Sequence, residues 1–257
     1  MPEGDTVARA ASRIRTPLVG QVLTTVGGTS PSVRRHAARI RRRRVQDVRT
    51  VGKHLVVDVQ GGWSVHVHLG MSGTWVVRTQ GGIPGRARLV LGTERASVAC
   101  LDAPTVTVDR TPAIDQALGQ LGPDVLAADF DPAEVARRAG ELARPVTDVL
   151  LNQRVMAGVG NEYKAELLFR LGWHPLRPST SVTAEEWVAA AELAARFVGA
   201  NVDAPIRSTT GDRSPGRESW VYGRGGQPCR RCSSTIEEAW LGSPARITYW
   251  CPTCQSA

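Results

Sequence analysis

The chain has 257 residues, enough for one large domain or two modest ones that each bury a core. Its net charge is +8, from 32 Lys and Arg against 24 Asp and Glu. Such a surface favours a polyanion, nucleic acid before an anionic membrane, although a basic protein from an arginine-preferring genome would carry the same charge. No apolar run is long enough to cross a bilayer or to serve as a signal peptide, so we expect a cytoplasmic protein with no membrane partner.

The N-terminal half predicts one helix followed by β-structure. Between Asp5 and Arg15 apolar residues recur at helical spacing, which predicts a short amphipathic helix. After a linker-like stretch, GGTSPS, and a basic run, RRHAARIRRRR, the pattern changes to period two. Short alternating strands separated by glycine turns predict an antiparallel sandwich or barrel that ends near residue 111. The predicted strands are HLVVDVQ, WSVHVHL, TWVVRT, ARLVLGT, ASVACL and TVTVDR.

The C-terminal half predicts helices and then a cysteine-rich tail. From residue 112 to 206 alanine, leucine, glutamate and arginine dominate, and Pro132 and Pro145 are well placed to begin helices. The polar stretch RSTTGDRSPGRES is expected to be mobile. We therefore predict an α+β protein with three parts: residues 1–111, residues 112–206 and residues 219–257.

Two CxxC pairs, CRRC and CPTC, predict a metal site in the tail. Four thiolates complete a closed tetrahedral zinc site, which is a structural arrangement, and the doubled motif makes a redox dithiol the lesser alternative. The intervening IEEAW and ARITYW alternate, so one zinc ion would staple a β-hairpin with Arg246 on its second strand. The fifth cysteine, Cys100, is expected to be a buried small hydrophobe. The predicted ligands are Cys229, Cys232, Cys251 and Cys254.

The segment from residue 150 to 175 predicts two helical stretches separated by the turn MAGVGN. Gly158 and Gly160 permit a backbone geometry that side chains would forbid. The turn would present free amides at the start of the second helix, and Asn161 is suited to capping or to holding an anion. Such a unit binds a phosphate without reading bases, and an ordinary helical hairpin has the same pattern.

Lysine occurs only at Lys53 and Lys164. Guanidinium stays protonated, whereas an ammonium group can be tuned to release a proton, so a lysine retained among many arginines hints at proton transfer. Chance retention is the alternative for Lys53. It is also the interpretation of Lys164, unless that residue contacts phosphate.

Pro2 follows the initiator methionine, and a small residue at this position permits removal of that methionine. An α-amino group has a pKa of roughly 7.7 to 8.0, so part of it is a free nucleophile near neutrality. A secondary amine that attacks the anomeric carbon of a deoxyribose can expel a base and form an iminium, which promotes elimination of the neighbouring phosphates. Glu3 could act as general acid or base there, unless both residues belong to a frayed terminus.

Taken in order, the motifs resemble the formamidopyrimidine-DNA glycosylase and endonuclease VIII family of base-excision repair enzymes, over nearly the whole chain. The resemblance implies an N-terminal antiparallel β-sandwich with an N-terminal helix, and a helical domain with a helix-two-turn-helix and a zinc-stapled hairpin. The matching motifs are MPEG, GKHL, HLGMSG, LGPDVL, NQRVMAGVGNEYKAELLF, VYGRGGQPCRRC and CPTCQ.

The same resemblance implies the catalytic residues. Pro2 would be the Schiff-base nucleophile and Glu3 its acid and base partner at the sugar. Lys53 would assist β-elimination. Arg246 would grip a phosphate and assist δ-elimination.

The resemblance also implies residues that bind DNA. Asn161 would bind phosphate, and Met71 in HLGMSG would be a wedge that fills the gap left by an extruded base. A core methionine is the alternative, but the glycines around Met71 favour an exposed loop. Thr6 replaces a family carboxylate that helps to position the lesion. CLDAPTV replaces the arginine and aromatic of a second wedge loop, so the likeness is closer to endonuclease VIII.

We therefore expect a bifunctional glycosylase and lyase that removes oxidised bases, pyrimidines favoured, and cuts the strand by β,δ-elimination. Its partner would be double-stranded DNA that contains oxidised bases or abasic sites, bound by a nucleoid-associated monomer mostly through phosphates. The alternatives are an enzyme specific for 8-oxoguanine or formamidopyrimidine and a non-catalytic paralogue that binds damaged DNA.

Overall fold

The computed structural model describes residues 2–79 and 85–256. The chain divides into two compact units, Met1–Gln120 and Leu121–Ala257. Each unit has its own apolar core. Among the described residues, every helix is too short or too polar to cross a bilayer. The three-part division at residues 111 and 206 stays a prediction.

The first unit combines helices with two antiparallel sheets. Its elements, in chain order, are α1 (Gly4–Leu18), β1 (Thr25–Gly27), α2 (Pro31–Ile40), β2 (Val45–Val51), β3 (His54–Val59), β4 (Trp63–His68), β5 (Thr74–Arg78), β6 (Ala87–Gly92), β7 (Ser97–Leu101), β8 (Thr105–Arg110) and α3 (Thr111–Leu118). One sheet has the strand order β2-β3-β4-β8 and the other β1-β6-β7-β5.

The two sheets share one apolar core, which also takes the buried face of α1. Val57 and Val65 from one sheet and Leu89 and Leu91 from the other are fully buried in it, together with Ile14 of α1. Apolar residues alternate along these strands because one face of each sheet turns inward. The predicted β-sandwich with an N-terminal helix is confirmed, and each of the six predicted strands is present. Cys100 is fully buried in this core, as predicted.

The linker-like stretch and the basic run are more ordered than their sequence suggests. Pro31 occupies the first turn of α2, and Val33 and Ile40 are fully buried. They form the buried apolar face of a helix whose other side chains are mainly arginine and alanine, and the hydroxyl of Ser32 also bonds to the backbone of Val108. A short isolated helix is only marginally stable in water, so α2 is stabilised mainly by the burial of this narrow apolar stripe in the core.

The second unit is helical and ends in a two-stranded hairpin. The hairpin strands pair antiparallel, with Arg246 opposite Leu241. Its elements, in chain order, are α4 (Pro132–Gly140), α5 (Val146–Leu151), α6 (Asn161–Leu171), a 3-10 turn (Ser179–Ser181), α7 (Ala184–Gly199), β9 (Glu237–Leu241) and β10 (Arg246–Trp250). Pro132 lies in the first turn of α4 and Pro145 directly precedes α5, as expected.

Helix α6 is enclosed on both sides. Tyr163 and Leu167 are fully buried in the helical core, whereas Ala165 and Phe169 are fully buried in a second apolar cluster beside the hairpin. Most of α6 is therefore buried, and the helix lies between the two apolar clusters of its unit.

The polar stretch after α7 is tied to α6, although the sequence predicts it to be mobile. Arg207 forms an ion pair with Glu162, at 2.6 Å. The hydroxyl of Thr209 donates to the buried carboxylate of Glu166. Both partners lie on α6, which the pattern of the polar stretch itself could not reveal.

Candidate functional site

The N-terminus of α1 places a buried carboxylate next to Pro2. Glu3 is the residue that precedes the helix, and its backbone carbonyl accepts a hydrogen bond from the amide of Val7, at 3.0 Å. The Glu3 side chain is fully buried, and Pro2 is half-buried. The position before a helix stabilises a negative charge, but burial of a carboxylate is costly, so this arrangement points to chemistry. Met1 lies outside the described residues.

Lys53 lies in the tight turn between β2 and β3. Gly52 adopts a φ of 57°, a left-handed conformation that glycine takes without strain. The Lys53 ammonium is close enough to His54 and His68 to help lower the pKa of both imidazoles. The turn therefore sets Lys53 beside a group of histidines.

That group consists of His54, His66 and His68, which the sequence analysis did not single out. His54 and His68 are directly opposite each other in the β3–β4 ladder, with ring centroids 4.7 Å apart. Burial, and then the charge of His68, lowers the pKa of His54 to about 3 and of His66 to about 4. These two imidazoles are therefore neutral near pH 7. The sequence feature that could have revealed this group is the HxH spacing of His66 and His68, which puts both side chains on one face of β4.

Met71 lies in an exposed turn between β4 and β5. Its side chain is 70% exposed, which confirms the predicted exposed loop and rules out a core methionine. Gly70 has a φ of 60°, and a Cβ there would lie 2.6 Å from the Cγ of Pro104. A Cβ on Gly73 would lie 2.4 Å from the carbonyl oxygen of Leu69. The two glycines allow this tight loop, which packs against the loop between β7 and β8.

A cavity of about 110 Å³ separates α1 from this loop and from β5. Thr6, Arg9, Leu69, Gly73 and Trp75 are among the residues that line it. Thr6 therefore lies near the Met71 loop. Its hydroxyl donates to a carboxylate oxygen of its neighbour in the chain, at 3.3 Å.

In the second unit, the glycine turn positions Asn161 at the start of α6. Gly158 has a φ of 104°, whereas Gly160 has a φ of −119°, which any residue can adopt. Gly160, not Asn161, is the N-cap, so the capping role considered for Asn161 is wrong. From its place in the first turn of α6, the Asn161 side chain can reach the hairpin.

The Asn161 side chain joins α6 to β10. Its amide NH₂ donates to the carbonyl of Ile247, at 2.8 Å, and its Oδ1 accepts from Lys164, at 2.9 Å. Arg246 immediately precedes Ile247 and is exposed at the start of β10, near the hairpin tip as predicted. Two of the predicted phosphate-binding residues are thus brought together, although they are 85 positions apart in the sequence.

Two further contacts hold the hairpin. The backbone amide of Ser243, in the turn, donates to Asp148 of α5, at 3.2 Å. The ammonium of Lys164 donates to the hydroxyl of Thr248, at 2.7 Å. The hairpin is therefore fixed at its tip and along β10.

The four tail cysteines form one cluster. Their sulfurs all lie within 4.8 Å of one another, with Cys232 and Cys251 3.4 Å apart and Cys229 and Cys254 4.0 Å apart. Zinc–sulfur bonds of about 2.3 Å place tetrahedral sulfurs roughly 3.8 Å apart, so the cluster has the right size for such an ion. The amides of Arg231 and Cys254 point at cysteine sulfurs, at 3.4 Å each, which suits thiolates.

Two buried polar side chains that the sequence analysis missed support this cluster. The carboxylate of Glu166 accepts hydrogen bonds from the successive amides of residues 220, 221 and 222, just before the first CxxC pair. Gln255 accepts from the amide of Cys251 and donates to the carbonyl of Trp173. The sequence analysis assigned neither residue a role, because the amides bonded to Glu166 and the Trp173 carbonyl bonded to Gln255 are distant in the chain.

The first unit is a β-sandwich with a buried carboxylate at its N-terminus. The second is a helical unit with a glycine turn and a four-cysteine hairpin. Together these features define an α+β protein of the helix-two-turn-helix class. The family model of the formamidopyrimidine-DNA glycosylase N-terminal domain matches residues 1–106. The model of the formamidopyrimidine-DNA glycosylase H2TH domain matches residues 121–210. The chain therefore belongs to this family, as its motifs predicted.

Individual relatives agree with the family models. A probable endonuclease 8 2 of Streptomyces coelicolor is 40% identical, over 100% of this chain and 94% of the relative. A DNA-(apurinic or apyrimidinic site) lyase Nei2 of Mycolicibacterium smegmatis is 39% identical over 100% of both chains. The crystal structure of the MutM (Fpg) protein of Thermus thermophilus is 32% identical, with a TM-score of 0.82 over 99% of this chain and 98% of that one. The predicted closeness to the endonuclease VIII type is confirmed.

Proposed function

We propose that this protein is a bifunctional DNA glycosylase and abasic-site lyase of base-excision repair. It removes an oxidised base through a Schiff base on Pro2 and then cuts the strand by β,δ-elimination. Family membership and the names of the two relatives support the class of enzyme. The observation that carries the proposal is the fully buried carboxylate of Glu3, held beside Pro2 at the start of α1.

The chemistry begins at Pro2. With the initiator methionine removed, the secondary amine of Pro2 attacks the anomeric carbon, the glycosidic carbon–nitrogen bond breaks, and the base leaves with the proton that the amine gives up. Glu3 donates a proton to the sugar ring oxygen as the ring opens, which leaves an iminium at Pro2. Loss of a proton from the neighbouring carbon then expels the 3′ phosphate, and a second elimination expels the 5′ phosphate.

Other residues of the first unit support these steps. Lys53 is placed to move a proton during β-elimination, and the low pKa values of His54 and His66 keep those imidazoles from adding positive charge beside it. Met71 extends from an exposed loop, and an apolar side chain there can fill the space that a flipped nucleotide leaves.

In the second unit, Asn161 and Arg246 bind backbone phosphates. A helix N-terminus suits an anion, and the guanidinium adds charge-assisted hydrogen bonds. One structural zinc ion held by the four cysteines fixes the hairpin that carries Arg246. The ion supplies folding energy and takes no part in the reaction, because four thiolates leave no open coordination position. The protein acts as a monomer on double-stranded DNA.

The test is borohydride trapping on a duplex that contains one abasic site. The mature protein should form a covalent adduct, whereas Pro2→Gly should form far less because its primary amine is a different nucleophile. Glu3→Gln should still bind the DNA but lose base excision. Intact mass must show a chain that begins at Pro2, and a protein that retains Met1 or forms no adduct contradicts the proposal.

Preference for oxidised pyrimidines is the finer part of the proposal. The stretch CLDAPTV supports it, because it stands where the 8-oxoguanine enzymes have an arginine and an aromatic residue. Excision should be compared on duplexes with dihydrouracil, thymine glycol or 8-oxoguanine under the same conditions. Faster release of the two pyrimidine lesions is expected. Faster release of 8-oxoguanine would instead support the purine-specific alternative.

A further inference from the structure

Lys164 is one of only two lysines in the chain, and the mechanism above does not use it. It lies on α6, nearly one turn after Asn161, and its side chain is fully buried. Burial of an ammonium group costs several kcal/mol unless hydrogen bonds satisfy it. An apolar residue at this position would fill the same space without that cost, so the lysine needs an explanation beyond packing.

The contacts of Lys164 determine how the Asn161 amide is oriented. An ammonium group only donates hydrogen bonds, so the Asn161 atom at 2.9 Å from it must be the oxygen. The Ile247 carbonyl only accepts, so the atom 2.8 Å from it must be the nitrogen. One hydrogen of the NH₂ group serves Ile247, and the second is then available to a phosphate oxygen. The reverse orientation would set a carbonyl oxygen against the phosphate.

Lys164 also reaches the residue proposed to grip the other phosphate. Its ammonium donates to the Thr248 hydroxyl, at 2.7 Å, and that hydroxyl donates to the backbone carbonyl of Arg246, at 3.1 Å. Thr248 is fully buried. One buried cation is thus bonded directly to Asn161 and, through Thr248, to the backbone of Arg246.

We propose that Lys164 is a positioning residue for phosphate binding: it fixes the Asn161 amide with its NH₂ group toward the DNA and fixes the start of β10, which carries Arg246. This inference rests on the proposed function, since it assigns Asn161 and Arg246 to phosphates. The positive charge of Lys164 adds to that of the helix N-terminus, so the site favours an anion before any side chain touches it.

A double-mutant cycle tests the inference. Binding to a duplex with a tetrahydrofuran abasic analogue, which cannot be cleaved, is measured by fluorescence anisotropy for wild type, Asn161→Ala, Lys164→Met and the double variant. Each single change should weaken binding about tenfold, the order expected for one charge-assisted hydrogen bond. Because Lys164 acts mainly through Asn161, the double variant should bind within about twofold of Asn161→Ala. If the double variant instead loses affinity by the product of the two single factors, the two residues act independently and the proposal is wrong.

Thr209→Val is the matched control. It removes another buried hydrogen bond to a charged residue of the same helix, from Thr209 to Glu166, away from Asn161. It should lower the melting temperature but leave DNA affinity within about twofold of wild type. If it weakens binding as much as Lys164→Met does, any loosening of α6 suffices and the specific role is wrong.

Thr248→Val gives a second measurement if Lys164→Met does not fold. It keeps the lysine and removes only the link to β10, so it should weaken binding by a smaller factor than Asn161→Ala does. Wild-type affinity in a folded Thr248→Val protein would contradict the β10 part of the proposal.

Borohydride trapping separates the two levels of the argument. A wild-type protein that neither binds the analogue nor forms an adduct would refute the proposed function. If the wild type binds the analogue and forms the adduct, and a folded Lys164→Met variant binds with the same affinity, only the role of Lys164 is refuted and the proposed function stands.

Discussion

The Nδ1 atom of His54 lies 2.8 Å from the Nε2 atom of His66, across the β3–β4 pair. One of the two nitrogens must carry the shared hydrogen and the other must accept it, so the contact requires at least one neutral ring. Burial, the charge of His68 and, for His54, the charge of His66 and Lys53 lower the pKa of these groups. The pair is therefore a neutral hydrogen-bonded unit beside the proposed catalytic lysine.

The first prediction concerns acid stability. The unfolded chain takes up protons at these histidines below pH 6.5, whereas the folded chain resists until about pH 4 for His66 and about pH 3 for His54. The free energy of unfolding should therefore be highest above pH 6.5 and fall as the pH decreases toward 4.

Between pH 6.5 and pH 5 the free energy of unfolding should fall less in His66→Asn than in the wild type, by on the order of 1–2 kcal/mol. Urea unfolding of both proteins at a series of pH values measures the two slopes, and the difference between the slopes isolates the histidine from the carboxylates. Parallel curves would contradict the neutral pair.

The second prediction concerns Glu166. Burial raises the pKa of its carboxyl group, while the hydrogen bonds from Thr209 and from the amides of residues 220–222 oppose that rise. Glu166→Gln keeps the shape but presents an NH₂ group to donors, so the free energy of unfolding should fall by about 2–3 kcal/mol. Glu192→Gln, an exposed change on α7, should alter it by less than about 0.5 kcal/mol. Equal melting temperatures for the two variants would show that the buried carboxylate does not hold this segment.

The third prediction concerns the metal. The purified protein should contain one zinc ion per chain, measured by elemental analysis. Removal of zinc by a chelator should lower the melting temperature and make four thiols reactive to iodoacetamide, counted by mass spectrometry. Cys100 should react only after unfolding, because burial raises the pKa of its thiol to about 12. Four reactive thiols before chelation would contradict a closed thiolate site.

The fourth prediction concerns Arg246. If its guanidinium binds a phosphate, Arg246→Ala should weaken binding to abasic-analogue DNA and reduce the slope of log affinity against log salt by about 1. On cleavable abasic DNA the variant should accumulate the β-elimination product at the expense of the δ-product, as resolved on a denaturing gel.

Arg137→Ala is the control for that experiment, because Arg137 is an exposed arginine that pairs with Glu134 on α4. Its salt slope should match that of the wild type. A reduced slope in both variants would indicate loss of general charge instead of a specific phosphate contact.

Much of the fold was predictable because local patterns and tertiary burial agree. The six predicted strands from His54 to Arg110 are short and largely alternating runs bounded by turns, so a sandwich can bury their apolar faces. The CxxC pairs set the composition and spacing of the metal cluster in the same way. The helix α2 was not predicted, because Val33 and Ile40 alone supply its buried face and the arginines around them resemble a solvated run.

The roles of the polar interior depend on contacts that no local pattern contains. Lys164 was set aside as chance retention, and the structure buries it between Asn161 and Thr248. The sequence analysis assigned Glu166 no role, and the structure bonds it to three successive amides more than 50 residues away.

The sequence by itself determined the family, the order of sheets, helices and hairpin, and the residue types at the chemical positions, because motifs and hydrophobic period are properties of neighbours in the chain. The tertiary structure alone decided which side of the Asn161 amide meets Lys164, which imidazoles stay neutral and which carboxylates are buried. Those properties follow from desolvation and hydrogen-bond direction, which exist only once distant segments exclude water together.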